Sequence, residues 1–360
     1  MVFKLKGSRT LGNAIDSHEN GFNLVRLLCA LLVVVYHGFQ LNPVLGRPDP
    51  LTALVLPHAD LGKIAVGIFF IISGLFITQS WMRDPHLARF ALRRVARIIP
   101  GLFVCSLLTV IAGFGFFSEQ GWAGLFSAEA WRYVYGNSVL HWLQYIIAPE
   151  ELAIPGVLSG QPLNGPLWTL YWEARMYVMV ALIGLAAVLP MRTWMRGAAV
   201  FFLLAANLFP TVLSGWMWEV TMWSLFLSGM LLYTLAPTVR IGFIHVACAL
   251  LLVSLNWTRS LALTGTGLTW FGIALAMGAL ALWIGTARYE GMRHVRRHDY
   301  SYGIYIYHWP VFIMLRAALP TLDAPVFLAI GMLVSITLAV LSWHLVESPA
   351  IQLARRLLKC

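Results

Sequence analysis

The chain has 360 residues, 59% of them hydrophobic and 11% charged, with a formal net charge of +10. Soluble domains carry roughly 25% charged residues, so a water-soluble globular fold is excluded. Four cysteines without paired spacing (Cys29, Cys105, Cys248 and Cys360) support neither a disulfide framework nor a CxxC metal site.

A polar leader, residues 1–21, precedes the first apolar run. Apolar stretches able to cross a ~30 Å hydrocarbon core then recur at 22–41, 63–82, 98–117, 166–189, 197–213, 219–236, 241–257, 262–286, 301–319 and 324–345. The expected fold is an all-α polytopic membrane protein of about ten transmembrane helices, one membrane-embedded domain over 1–360. The first run is long and lacks a small-residue cleavage site, so it is expected to stay in the membrane. With both termini cytoplasmic, the inner segments hold 18 of the 25 basic residues, among them Arg89, Arg93, Arg94 and Arg97. That is a positive-inside bias; the basic charge reflects topology, and no nucleic-acid partner is expected.

Within the first span, Arg26 and His37 lie eleven residues apart. On a helix they share a face, about 16 Å apart along the axis, and ionisable groups inside a span mark a pathway or a site by default. Taken singly each has a plain reading: Arg26 snorkelling to lipid phosphate, His37 a satisfied interfacial histidine. The second span contains Ser73-Gly74, a small pair that lets helix backbones approach. Residues 83–100, RDPHLARFALRRVARIIP, place arginines 89, 93 and 97 in i,i+4 register, a basic stripe for phosphate oxygens or anionic lipid.

The segment 118–165 is a long outer loop with Trp122, Trp131 and Trp142 and four of the chain's 15 acidic residues. It leads into PLWTLYWEARMYV, where Glu173, counted from the outer end of its span, comes level with His37. A carboxylate there is expected to orient the imidazole and leave its other nitrogen to take a proton from a hydroxyl; the plain alternative is an ion pair with Arg175 or another span's arginine. Trp168, Tyr171 and Trp172 are candidate donors toward substrate. In SYGIYIYHWPVF, residues 301–312, Tyr302, Tyr305, Tyr307 and His308 crowd the inner half of the ninth span. Glu347, in VESPA, sits just past the tenth span, at the start of a tail 346–360, and is placed to pair with a cytoplasmic arginine. His294 and His298 share i,i+4 spacing in a basic segment with no third ligand candidate, so no metal is expected. Neither GxSxG, GxxxxGK nor HExxH occurs.

The order of Arg26 and His37, FFIISGLFIT, RRVARIIP, PLWTLYWE, SYGIYIYHWPV and VESPA resembles the acyltransferase-3 family of integral membrane proteins, which acylate sugars on cell-surface glycans and some small molecules. The resemblance covers roughly Asn23 to Pro349. It implies His37 as the catalytic histidine with Arg26 as its essential partner, Arg94 and Arg97 in a cytoplasmic arginine motif, and Glu173 in a Trp-to-Glu motif. One departure is Asn23, where many members carry Asp three residues before the arginine. No esterase-like outer domain is expected after the tenth span.

The expected function is transfer of an acyl group, acetyl by default, from cytoplasmic acyl-CoA to a sugar hydroxyl of a surface or exported glycan. Arg26, Arg93, Arg94 and Arg97, with Tyr302 and His308, are expected to hold the donor. His37 acts as base or transient acyl carrier. The bilayer, acyl-CoA, a glycan acceptor and glycan-assembly proteins are the expected partners, and a bacterial inner membrane the expected location. The residues alone leave two rivals open: a transporter or flippase using Arg26, His37 and Glu173 as a relay, and an idle scaffold for glycan assembly.

Overall fold

The computed structural model describes residues 10–17, 19–42, 60–140, 162–186, 217–249, 267–287 and 297–358, with isolated positions between them. Among these, every regular element is helical: α1 (Leu11–Asp16), α2 (Phe22–Leu41), α3 (Leu61–Arg83), α4 (Leu87–Phe117), α5 (Ala128–Tyr135), α6 (Trp168–Ala186), α7 (Met217–Leu235), α8 (Gly267–Thr286), α9 (Ser301–Ala318), α10 (Ala324–Ser342) and α11 (Ser348–Leu357). A single π-helical turn, Trp343–Glu347, joins α10 to α11. Ser118 and Val157 form an isolated bridge. Four runs are long and apolar enough to cross a membrane: α2, α3, α4 and the continuous stretch Ala324–Leu357. Helices α6 to α9 coincide with four further expected spans. Residues 198–213 of the span expected at 197–213, residues 250–257 of that expected at 241–257, and His294 lie outside the described residues.

Two expected boundaries are corrected. The arginine-bearing stretch is the first third of the unbroken 31-residue helix α4. At 1.5 Å per residue α4 is ~46 Å long, more than a hydrocarbon core needs, so its arginine end has length to reach past the apolar layer. Likewise residues 346–357 continue the last helix rather than forming a separate tail.

The chain divides into two compact units. The first comprises Met1–Cys29, Pro50–Pro85 and Arg175–Asp299. Here α3 starts at an Asp60 cap, whose carboxylate accepts from the Lys63 amide at 2.6 Å. Its Gly74 lies against the Phe226 carbonyl and Gly229 of α7, and Gly229 lies against the Ile71 carbonyl, so a Cβ at either position would strike backbone. Ser73-Gly74 is thus a packing device. In lipid, where apolar surface gains nothing by leaving water, such close backbone approach supplies the van der Waals contact that holds helices together. The leader also folds: α1 buries Leu11, Ala14 and Ile15, and its Leu11 and Gly12 amides donate to Val239 and Ala236 carbonyls at 2.8 and 2.7 Å. Asp16 accepts from Gln79 at 2.9 Å and Arg83 at 2.5 Å.

The second unit comprises Ala30–Asp49, His86–Ala174 and Tyr300–Cys360. The outer segment packs on the end of α4 through Val110, Phe114, Tyr133, Val134, Ile154, Val157 and Leu163. Helices α9 and α10 pack through Gly303 against Ala339, Gly331 against Phe312, and the Phe312–Phe327 ring pair.

Candidate active site

Helix α9 carries Pro310 in its interior. Proline has no N–H, so the carbonyl four residues back, Ile306, loses its helical donor. An orphaned carbonyl in an apolar interior costs several kcal/mol, and two side chains meet it. Asn164 Nδ2 donates at 2.8 Å and the Cys105 thiol at 3.2 Å. This ties the segment ahead of α6 to α9, and further bonds follow it: Trp309 Nε1 to the Pro162 carbonyl at 3.1 Å, and Tyr305 Oη to the Pro166 carbonyl at 3.0 Å. Thr169 Oγ1 shares a 2.6 Å hydrogen bond with Tyr305 Oη. Gly165 lies against the Trp309 indole, where a Cβ would come within 3.1 Å of the ring.

On this frame sit two histidines. His37 Nδ1 lies 2.8 Å from His308 Nε2, with ring planes 15° apart and centroids 5.0 Å apart, an edge-to-edge arrangement that puts the hydrogen bond in both ring planes. The Trp309 indole stands edge-on to His37 at 5.0 Å. His308 is fully buried, and its Nδ1 faces the Tyr305 carbonyl at 2.7 Å and the Ile304 carbonyl at 3.2 Å. Carbonyl oxygens only accept, so Nδ1 of His308 carries a proton. In the neutral ring Nε2 is then the acceptor, and His37 must donate to it from Nδ1. His37 Nε2 is left with its lone pair, and it has no hydrogen-bond partner among the described residues. The geometry selects one tautomer of His37, with the proton on Nδ1 and the lone pair on Nε2.

This corrects the expected dyad. The ring partner of His37 is His308, not Glu173. Counting residues from span ends put His308 in the inner half of its span and His37 level with Glu173, yet the two rings touch. Glu173 is half-buried on α6. Tyr171 is buried, Trp168 and Trp172 are half-buried, and the Tyr171 and Trp172 rings meet at right angles, 6.4 Å apart.

The arginines divide by environment. Arg97 pairs with Glu347 at 3.4 Å, its side chain 18% exposed and that of Glu347 1%, and its guanidinium stands 5.4 Å from the Tyr302 ring and 5.6 Å from the Trp343 ring. Glu347 also accepts from Ser342 at 2.9 Å, and the Tyr302 hydroxyl donates to the Ile98 carbonyl at 2.7 Å. Gly101 makes this approach possible, since a Cβ there would lie 2.9 Å from the Tyr302 ring. The expected pairing of Glu347 with an arginine of the stripe is present. Arg89 is exposed, Arg93 and Arg94 are half-buried, and Arg94 stacks at 5.9 Å over the buried Phe90.

In the first unit Arg26 Nη1 donates to Asp299 Oδ2 at 3.0 Å. The carboxylate missing at Asn23 is thus supplied from 273 residues away. No cluster of three or more His, Cys, Asp or Glu side chains able to hold a metal occurs among the described residues. Sequence reasoning did not single out Asp299, Asn164, Thr169 or Trp309. The one legible signal was Pro310, whose lost donor calls for a replacement at Ile306.

The family profile described as an acyltransferase domain matches residues 19–344. An O-acetyl transferase of Shigella phage Sf6 is 28% identical over 91% of this chain and 95% of its own length. Nodulation protein 10 of Rhizobium leguminosarum bv. viciae is 27% identical over 95% of this chain and 97% of its own. No solved structure matches. A profile match running from before Arg26 to beyond the His37, His308 and Asp299 positions displaces the transporter and scaffold readings: the chain is an acyltransferase and belongs to the acyltransferase-3 family of membrane proteins.

Proposed function

We propose that this protein transfers an acetyl group from acetyl-CoA to a hydroxyl of a glycan at the membrane surface, with His37 as general base. The observation that carries the reading is the 2.8 Å His37–His308 hydrogen bond, which leaves Nε2 of His37 unprotonated. The Shigella phage relative, named an O-acetyl transferase, supports an acetyl group and an oxygen acceptor.

In this mechanism the acceptor O–H gives its proton to His37 Nε2 as the oxygen attacks the thioester carbonyl carbon. The tetrahedral oxyanion collapses, the C–S bond breaks, and the proton passes to the leaving sulfur, giving the ester and free CoA thiol. The imidazolium formed in between is stabilised through Nδ1–H by His308, a bond that strengthens as charge develops. His308 cannot rotate, because its own Nδ1–H is held by the Tyr305 and Ile304 carbonyls. Pinning of this kind places the base before the acceptor arrives, which is where much of the rate advantage of positioned groups originates. In this reading half-buried Arg93 and Arg94 would meet the donor's phosphates from the end of α4, on the cytoplasmic side of a bacterial inner membrane.

Incubation of purified protein with labelled acetyl-CoA and a panel of surface glycans tests this. Label should enter an alkali-labile ester on glycan, and only with His37 present. Label that stays on CoA with every acceptor, in protein shown to be folded, contradicts the reading.

A further inference from the structure

We propose that Asp299 is the positioning residue for Arg26, turning one edge of its guanidinium toward an anionic group of the acyl donor; the inference rests on the acyl-transfer reading above. The guanidinium has two edges that can grip an anion with paired N–H donors, one formed by Nη1 and Nη2 and the other by Nε and Nη2. Asp299 takes the Nη1 end at 3.0 Å. Nε is buried and has no partner among the described residues, and the Asp299 bond is the one polar contact of Arg26 among them. A buried, charged N–H without an acceptor is costly. Here it is one of two parallel donors, the geometry that a phosphate or carboxylate oxygen pair fits.

The surroundings fit a built site rather than a surface ion pair. The Asp299 side chain is 11% exposed and that of Arg26 29%, so both partners are largely withdrawn from the surface. A single helix, α2, carries both Arg26 and His37, and a single stretch of chain, 299–308, carries both of their partners. An acyl-CoA offers phosphates at one end and the thioester at the other, and Asp299 would act on the first end alone.

The test compares two acetyl donors that share the thioester and differ in phosphate: acetyl-CoA and acetyl-pantetheine, which has none. The expected result for Asp299→Asn is a loss of kcat/KM with acetyl-CoA that exceeds its loss with acetyl-pantetheine by roughly tenfold or more, carried mainly by KM. Adding Asn23→Asp, three residues before Arg26 on the same helix face, should restore part of the difference. Should Asp299→Asn not yield folded protein, Arg26→Lys is read in its place. It keeps the charge but lacks the Nε–Nη2 edge, and the same split between donors is expected. Equal losses with the two donors overturn the proposal, whether they come from a structural role or from a lipid phosphate on the same edge, and so does wild-type behaviour of the variant. Wild-type protein inactive with both donors would instead fail the acyl-transfer reading itself.

Discussion

Nδ1 of His37 lies 2.8 Å from Nε2 of His308, and Nδ1 of His308 lies 2.7 Å from the Tyr305 carbonyl. The chain of bonds has one direction, from His37 through His308 to the backbone, because it ends on an oxygen that cannot donate. His308→Ala removes the acceptor that selects the His37 tautomer. Its expected effect is a fall in kcat of about 10²-fold, within the range that positioned acid–base groups contribute, with KM for the donor nearly unchanged. His308→Gln, which retains an acceptor, should lose less. Steady-state kinetics on the three proteins checks the order.

Arg97 and Glu347 form a buried pair braced by Tyr302, Trp343 and Ser342. Breaking a buried pair by removing one member costs about 3–5 kcal/mol, because the other charge stays behind. Arg97→Ala and Glu347→Ala should therefore each lower the unfolding midpoint sharply, and the double substitution should cost less than the sum of the two. Thermal unfolding in detergent measures this.

Arg93 and Arg94 should behave differently from Arg97. Replacing both with Gln is expected to raise KM for acyl-CoA several-fold, more at low ionic strength than at high, with little change in unfolding midpoint. Kinetics at two salt concentrations separates donor binding from structure.

Asn164 donates to the carbonyl that Pro310 leaves orphaned. Asn164→Leu should cost about 1 kcal/mol, the worth of a hydrogen bond lost from a buried acceptor that keeps only the weaker Cys105 thiol donor. Pro310→Ala restores a backbone N–H four residues after Ile306, so in the double variant the cost of losing Asn164 should shrink. A double-mutant cycle on unfolding free energy gives the coupling.

Much of the scaffold was legible because lipid leaves few alternatives. A backbone that must satisfy itself becomes helix wherever about twenty apolar residues recur, and α2 and α3 begin and end within two residues of the expected limits. Glu347 pairing with a stripe arginine was legible for a similar reason, since a carboxylate at that position needs a cation. The partner of His37 was not. Depth counted along separate helices assumes that they start level, and that assumption did not bring His37 and His308 together. Asp299 was invisible because it precedes its helix, where no periodicity marks a side chain as facing inward. Asn164 could have been found from Pro310, given a rule that every lost donor must be replaced.

The most direct test of the account is thiol release from acetyl-CoA by purified wild-type protein and by His37→Ala and His308→Ala, each with and without glycan. The account predicts glycan-dependent release by wild type, none above background for His37→Ala, and a reduced but measurable rate for His308→Ala. Release by His37→Ala equal to wild type, in protein of the same fold, would contradict it.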